Sequence, residues 1–133
     1  MNARMAPAVS PDTEFFWNGV REHRLLVQQC DDCGVRRHPP RPMCPQCRSL
    51  AWTPVEIPPH GTVYSFVMPK HPPLGFGDDH IVALVELEGG LRLVADLTGI
   101  APESVTIGMP VEVTFVHYDG DVVLPGFRPA GAP

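Results

Sequence analysis

The sequence predicts a mainly β protein with one short helix near its N-terminus. After Gly61, stretches rich in β-branched and alternating apolar residues recur at short intervals. Most of the 17 prolines and 12 glycines lie between these stretches and mark turns. The four cysteines form two C-x-x-C pairs ahead of the strands, and this spacing predicts a small metal-bound module.

Length and composition limit what the chain can be. A length of 133 residues fits one modest domain or two very small ones. A hydrophobic content of 44%, with 19% charged residues and no long apolar run, predicts a cytoplasmic protein without a membrane partner. A net charge of −5 disfavours binding to nucleic acid, which requires a basic surface.

The N-terminal part is predicted to be a disordered lead-in, residues 1–10, followed by a helical segment, residues 11–23. Ser10 can cap a helix that has Pro11 at its first position and extends to about Val20. This short helix carries three adjacent aromatic residues that cannot all face one core. Either two of them pack on the protein and the third is partly covered, or the helix docks on a partner. The residues are Phe15, Phe16 and Trp17.

The first interpretation of the two cysteine pairs is a metal site. Four thiolates in two tight turns suit tetrahedral zinc, and Gly34 supplies the turn conformation after the first pair. Iron is chemically possible, whereas disulfides and a redox pair fit the pattern less well. A four-thiolate site leaves no position for substrate, so we expect a structural zinc. The predicted ligands are Cys30, Cys33, Cys44 and Cys47.

Around the cysteines the sequence predicts a rubredoxin-like zinc ribbon over residues 24–59. Its predicted strands are Arg24–Gln29 and Val35–His38, with a further stretch at Leu50–Trp52. The proline-rich segment Thr53–Pro59 is predicted to be a linker. His38 lies between the cysteine pairs, but we expect it to be a packing residue because four sulfur ligands complete a tetrahedral site.

Residues 60–128 are predicted to form a five-stranded barrel of the OB type, and residues 129–133 a frayed tail. A single helical turn between the third and fourth strands fits this fold. Gly89-Gly90 predicts a two-residue hairpin between the second and third strands. The predicted strands are Thr62–Met68, Ile81–Glu88, Leu91–Leu97, Val111–Tyr118 and Asp121–Phe127.

No catalytic motif is visible. The six histidines show no helical metal-binding spacing, and no serine lies in a nucleophile elbow. The loop that follows the first barrel strand combines a cation, an imidazole and an aromatic ring within reach of a neighbour. This loop is either tolerated without a function or lines a partner surface or a substrate channel. Its candidate residues are Lys70, His71 and Phe76.

Several stretches resemble the acyl-CoA-associated zinc-ribbon/OB-fold proteins, over nearly the whole chain from about Thr13 to Arg128. In addition to the two cysteine pairs, these stretches are Phe16-Trp17, Val20-Arg21-Glu22, Pro40–Met43, His60–Ser65 and Gly108–Val113. The resemblance implies a non-catalytic accessory subunit of a thiolase-like enzyme that acts on acyl-CoA. The partner would be a thiolase or a lipid-transfer-protein-like aldolase of steroid side-chain degradation, with a MaoC-like hydratase fused or adjacent in some relatives.

The resemblance also gives an arginine cluster near the cysteines a specific interpretation. Guanidinium groups suit the phosphates of coenzyme A, although arginines at a surface are also commonly solvated or partner-facing. The candidate CoA-binding residues are Arg36, Arg37, Arg41 and Arg48. Two other functions remain open from the sequence: a nucleic-acid-binding OB-fold module, and an independent CoA-dependent enzyme.

Overall fold

The structure is a computed structural model that describes residues 4–69 and 80–131. The chain divides into two compact units. One unit contains the residues up to Pro58 together with Phe115–Leu124, and the other contains Pro59–Thr114 and the residues from Pro125 onward. No helix in the described ranges has the length and apolar character needed to cross a membrane.

The single α-helix, α1, spans Glu14–Arg21 and begins later than predicted. Thr13 is its N-cap, and the preceding residues form a turn in which the Ser10 carbonyl accepts the N–H groups of Thr13 and Glu14. Ser10 therefore caps the turn before the helix rather than the helix itself. Residues 4–10 form neither helix nor strand.

The first sheet has three antiparallel strands in the order β2-β1-β3. Strand β1 spans Leu26–Cys30, β2 spans Arg36–Arg37 and β3 spans Trp52–Glu56. The prediction of a proline-rich linker was wrong here, because Thr53–Glu56 belong to β3 and pair with β1 along its whole length.

Pro54 was one reason for predicting a linker, and the hydrogen-bonding register of β3 shows why this strand can contain a proline. The Ile57 N–H donates to the Leu25 carbonyl and the Asp31 N–H donates to the Ala51 carbonyl. In the same register, Gln28 opposite Pro54 is a non-hydrogen-bonded pair. The Pro54 nitrogen therefore faces the open edge of β3, where no ladder hydrogen bond is lost.

The second sheet is a closed barrel, and its five strands confirm the predicted OB-type architecture. The order around the barrel is β4-β5-β6-β8-β7, and β6 and β8 pair in parallel to close it. A 3-10 turn over Pro102–Ser104 lies between the third and fourth barrel strands. The strands are β4 His60–Val67, β5 Val82–Leu87, β6 Arg92–Leu97, β7 Pro110–Tyr118 and β8 Val122–Pro129.

Two details of the barrel correct the sequence prediction. The β5–β6 hairpin has a three-residue 3-10 connection, Glu88–Gly90, and the Leu87 N–H donates to the Leu91 carbonyl at 2.6 Å. The prediction of a two-residue hairpin loop was therefore wrong. The last strand also continues to Pro129, and the Ala130 N–H donates to the Pro110 carbonyl, so this end of the chain is held by pairing.

The barrel core is apolar and close-packed. Val63, Val85, Val111 and Phe127 are each at most 1% exposed. At Gly61 the strands β4 and β5 approach so closely that an added Cβ would lie 2.1 Å from the Glu86 carbonyl oxygen. Only glycine fits at this position, because the obstructing atom is backbone.

Candidate metal centre

The two cysteine pairs form knuckles with matching backbone hydrogen bonds. In the first knuckle the Gly34 N–H donates to the Cys30 carbonyl, and the Cys30 N–H donates to the Val35 carbonyl. The second knuckle repeats both bonds. The Arg48 N–H donates to the Cys44 carbonyl, and the Cys44 N–H donates to the Ser49 carbonyl.

The geometry of the four sulfur atoms fits a single tetrahedral ion. All four lie within 4.8 Å of one another. The separations are 3.5 Å between Cys30 Sγ and Cys47 Sγ and 3.6 Å between Cys33 Sγ and Cys44 Sγ. A tetrahedron with zinc–sulfur bonds of about 2.3 Å has edges of about 3.8 Å. Zinc therefore requires only a small adjustment of these side chains.

Backbone N–H groups prepare the first sulfur of each knuckle for ligation. The Cys47 N–H lowers the pKa of Cys44 to about 6, and the Cys33 N–H likewise lowers the pKa of Cys30. These hydrogen bonds stabilise the thiolate, which is the form that binds a metal.

The second sulfur of each knuckle behaves differently. The Ser49 N–H lowers the pKa of Cys47, but the adjacent Cys30 sulfur and burial outweigh it and raise this pKa to about 12. The Val35 N–H likewise lowers the pKa of Cys33, but burial and the Cys44 and Cys30 sulfurs together outweigh it, so this pKa is also raised. Metal binding must therefore displace protons from these two thiols.

Arg48 occupies the position in the second knuckle that Gly34 occupies in the first. Gly34 has φ +78°, and Arg48 has φ +66°, in the left-handed region that L-residues seldom adopt. The sequence singled out Gly34 because glycine is the usual residue there. From the sequence, Arg48 was predicted only as one of the CoA-binding arginines, because an arginine does not indicate a left-handed backbone.

His38 is a packing residue near the cluster, and the four-sulfur group does not include it. Its ring lies 5.1 Å from the ring of Phe16, centroid to centroid. Burial lowers the pKa of His38 to about 4, since the charged ring would lose its hydration. The side chain is therefore neutral at pH 7.

The arginine cluster separates into one buried and three exposed residues. Arg37 is 4% exposed, and its Nε and Nη2 donate to the Arg41 carbonyl at 3.1 and 2.9 Å. Arg36, Arg41 and Arg48 are exposed, and the Arg36 Nε donates to Gln29 Oε1. The Arg37 side chain therefore stabilises the loop that leads to the second knuckle.

Gln28 completes this buried polar arrangement, a role that sequence reasoning missed. The residue is fully buried in β1, and its Oε1 accepts the Arg41 N–H at 2.7 Å. A glutamine inside a predicted strand is usually assigned to the solvent face. Gln28 accepts from the Arg41 N–H and Arg37 donates to the Arg41 carbonyl. These two bonds position the backbone of the segment that leads to Cys44.

The aromatic residues of α1 pack mainly on their own chain. Phe16 is 4% exposed, and the Phe15 ring lies 4.8 Å from the Trp52 ring between centroids. Trp17 is half-buried and contributes to a cavity of about 180 Å³. The cavity is also lined by Ala6, Pro7, Val9, Asn18, Arg21 and Gly120–Val123. The loop candidates Lys70, His71 and Phe76 lie outside the described residues.

Comparison with known protein families identifies both parts of the chain. Residues 17–53 match the model of the rubredoxin-like zinc ribbon domain of ChsH2, and residues 54–116 match the model of its C-terminal OB-fold domain. Together with the sulfur geometry, the first match gives the chain a structural zinc as its cofactor.

Curated relatives include two longer bacterial proteins. A probable enoyl-CoA hydratase alpha subunit of Thermomonospora curvata is 44% identical over 96% of this chain. The 3-oxo-4,17-pregnadiene-20-carboxyl-CoA hydratase alpha subunit of Mycobacterium tuberculosis is 43% identical over 88% of this chain. The chain spans 40% and 38% of the lengths of these two relatives.

Two further relatives are close to this chain in length. A DUF35 domain-containing scaffold protein of Methanocaldococcus jannaschii is 31% identical, over 84% of this chain and 85% of its own length. A solved structure described as the Ltp2-ChsH2(DUF35) aldolase contains a chain that is 45% identical with a TM-score of 0.87. The match covers 93% of this chain and 98% of that one. The chain therefore belongs to the DUF35 family, with a zinc ribbon and an OB-fold domain of the ChsH2 type.

Proposed function

We propose that this chain is a non-catalytic accessory subunit that binds and stabilises a thiolase-like enzyme acting on an acyl-CoA. The partner would be a lipid-transfer-protein-like aldolase, or a thiolase, in the breakdown of a steroid side chain. The observation that carries the proposal is the match, with a TM-score of 0.87, to nearly the whole of a chain in the Ltp2-ChsH2(DUF35) aldolase. The relatives named as hydratase alpha subunits support an acyl-CoA setting.

The chemistry of the metal centre supports an accessory role. Four thiolates fill the tetrahedral positions of zinc, so the ion has no place for water or substrate. Its contribution is to the folding of the ribbon. We place the reaction on the partner, and we assign this chain to holding or shielding the acyl-CoA.

The test is reconstitution with a candidate aldolase of the lipid-transfer-protein-like class. We expect a stable hetero-oligomer on size-exclusion chromatography, retro-aldol activity from the mixture, and no turnover by this chain alone. An aldolase that neither binds this chain nor gains stability or activity from it would contradict the proposal. Purification from the native host offers a second approach, in which recovery of nucleic acid instead of an enzyme would overturn it.

The exposed arginines are proposed contacts for the phosphates of CoA. Arg37 is excluded from this set because its guanidinium group is buried on the Arg41 carbonyl. The proposed contacts are Arg36, Arg41 and Arg48, which provide bidentate donors for phosphate. The double variant Arg36→Glu/Arg41→Glu should raise the dissociation constant of the complex for CoA, whereas Arg92→Glu on the barrel should not.

An unchanged dissociation constant in the double variant would refute the CoA assignment. The affinity for the aldolase must be measured on the same preparations. If Arg36→Glu/Arg41→Glu weakens the binding of the aldolase and leaves the binding of CoA to the assembled complex unaltered, these arginines face the protein partner instead.

We also propose that two segments contact the partner or its substrate channel. The first is the aromatic surface of α1, where Phe15 and Trp17 are half-exposed and the buried Phe16 contacts the ring of Trp17. The second is the loop with Lys70, His71 and Phe76. Alanine at His71 and Phe76 should reduce partner affinity or partner turnover, and no change in either would remove the loop from the proposal.

The names of two relatives suggest one more partner, since both are described as hydratase alpha subunits. We propose that a MaoC-like hydratase joins the same assembly. Co-purification of such a hydratase with this chain and the aldolase is the expected result, and an assembly that forms and excludes every hydratase tested contradicts it.

A further inference from the structure

His23 and His117 lie 94 positions apart in the sequence, and the structure brings their side chains together. The two Nε2 atoms are 2.7 Å apart. His23 follows α1, and His117 lies near the end of β7, in the same compact unit. We propose that this pair is a second metal site, which binds Cu²⁺ or Ni²⁺ through the two imidazole Nε2 atoms.

The separation of the two nitrogens selects the kind of metal. With metal–nitrogen bonds of about 2.1 Å, two nitrogens 2.7 Å apart subtend about 80° at the ion. That angle is near the 90° between neighbouring positions of a square-planar or octahedral ion. It is far from the roughly 109° of a tetrahedral ion. Nitrogen ligands in a square-planar or tetragonal arrangement are typical of Cu²⁺ and Ni²⁺.

The rings are held in place before any ion arrives. His23 follows the end of α1 and has a left-handed backbone, with φ +61°. Its ring stacks on Phe115, with 5.3 Å between centroids and 10° between planes. The metal-free pair is joined by an imidazole–imidazole hydrogen bond, and an ion would replace the shared proton.

A second contact, close to each histidine in sequence, joins α1 to the turn between β7 and β8. Arg21, at the end of α1, donates from Nη1 to the Asp121 carbonyl at 2.9 Å and from Nη2 to Asp121 Oδ2 at 2.6 Å. The turn before β8 is therefore attached to the helix beside the histidine pair. This attachment limits the entropy that the side chains lose when they bind an ion.

The donor set and the exposure separate this site from the zinc ribbon. Both histidines are exposed, so an ion reaches them from solvent and retains water at its other positions. In the described parts of the chain, no third side chain of a metal-binding type groups with them. Imidazole suits copper and nickel, and the four thiolates bind zinc in preference to two imidazoles, so protein loaded with one equivalent of zinc retains the second site.

The first experiment measures Ni²⁺ binding by calorimetry at pH 7.5 to protein that carries one equivalent of zinc. We expect one site per chain, with the dissociation constant raised at least about tenfold in either His23→Asn or His117→Gln. Asparagine is chosen for His23 because it tolerates a left-handed backbone. His60→Gln is the matched control, since His60 is exposed at the start of β4, and its affinity should be unchanged.

The second experiment uses Cu²⁺ as a spectroscopic probe. Electron spin-echo measurements should show two equatorial imidazole nitrogens in the wild type and one in either variant. Circular dichroism and zinc content establish that each variant is folded. The proposal is overturned if the wild type binds no Ni²⁺, if both variants bind it as tightly as the wild type, or if the Cu²⁺ signal shows sulfur ligation or a single imidazole.

Discussion

The zinc ribbon and the barrel are stabilised by different interactions. The interior of the ribbon contains cysteine sulfur atoms and a polar network in which Gln28 and Arg37 are 0% and 4% exposed, beside a small apolar cluster that includes Leu25, Val27 and Ile57. The interior of the barrel contains valine, leucine and phenylalanine side chains. A segment as small as the ribbon cannot bury enough apolar surface to fold by packing alone. Metal binding therefore supplies the folding free energy that apolar packing supplies in the barrel. One chain thus combines a unit stabilised by a metal with a unit stabilised by apolar packing, and variants in each unit can show how far the two are independent.

The largest effect is expected at the metal. Cys44 is fully buried, and Cys44→Ser removes one of the four proposed ligands. Zinc ligation contributes on the order of 10–16 kcal/mol to domains of this type, so the variant should lose its zinc and unfold or aggregate. Zinc content and urea denaturation measure both effects. A soluble, fully folded and metal-free variant would contradict the central role of zinc.

The next effect belongs to the barrel. Phe127 is 0% exposed, and Phe127→Ala should lower the free energy of unfolding by about 3–5 kcal/mol because it leaves a cavity. The zinc content should stay at the wild-type value, since Phe127 lies outside the unit that contains the cysteines. Loss of zinc from the folded variant would show that the two parts are coupled.

A smaller effect depends on pH and tests the ribbon alone. Burial lowers the pKa of His38 to about 4 in the folded chain, below the usual 6.5. Between these two values the unfolded chain binds a proton that the folded chain does not, so stability is complete above pH 6.5 and declines as the pH falls towards 4. The loss should reach up to about 3 kcal/mol.

The control for this pH effect is His38→Phe, which retains an aromatic ring beside Phe16 and removes the titration. Both proteins require excess zinc, because acid also protonates the cysteines. Chemical denaturation at pH 7 and pH 4.5 should show a larger loss in the wild type than in the variant. Equal losses would assign the acid sensitivity to the metal site instead.

The smallest effects concern the two knuckles. Gly34→Ala places a Cβ at φ +78° and should destabilise the zinc-loaded protein by roughly 1 kcal/mol. Arg48→Gly relieves the same conformation in the second knuckle and should be neutral or stabilising by less than about 1 kcal/mol. Urea denaturation measures both variants. Destabilisation by Arg48→Gly would show that the arginine side chain makes a contact that outweighs its backbone strain.

The sequence predicted the parts of the molecule in which local chemistry determines the structure. The cysteine spacing was sufficient to group four sulfur atoms, and the alternation of apolar residues predicted all five barrel strands. Pro54 concealed β3, because its compatibility with a strand depends on the hydrogen-bonding register with β1. Arg48 and Gln28 were missed for a related reason, since their roles arise from a backbone angle and a burial that composition does not encode.

Contacts between residues distant in the sequence were beyond prediction altogether. The approach of His23 to His117 depends on how the unit folds, and neither histidine belongs to a recognisable local motif. Arg21 and Asp121 are likewise 100 positions apart. A single sequence gives residue types and spacings, but it does not give such pairings.

The attachment of α1 to the turn before β8 also has a consequence for how the protein is made. During synthesis the helix and both cysteine knuckles emerge long before the residues 115–124 that belong to the same compact unit. The nascent ribbon can take up its zinc early, but Arg21 and His23 must wait for partners that lie 100 and 94 positions later in the sequence. Helix α1 therefore reaches its final environment only after β7 and the turn before β8 have been made, and cutting the chain at Pro58 would leave the ribbon unit unfinished.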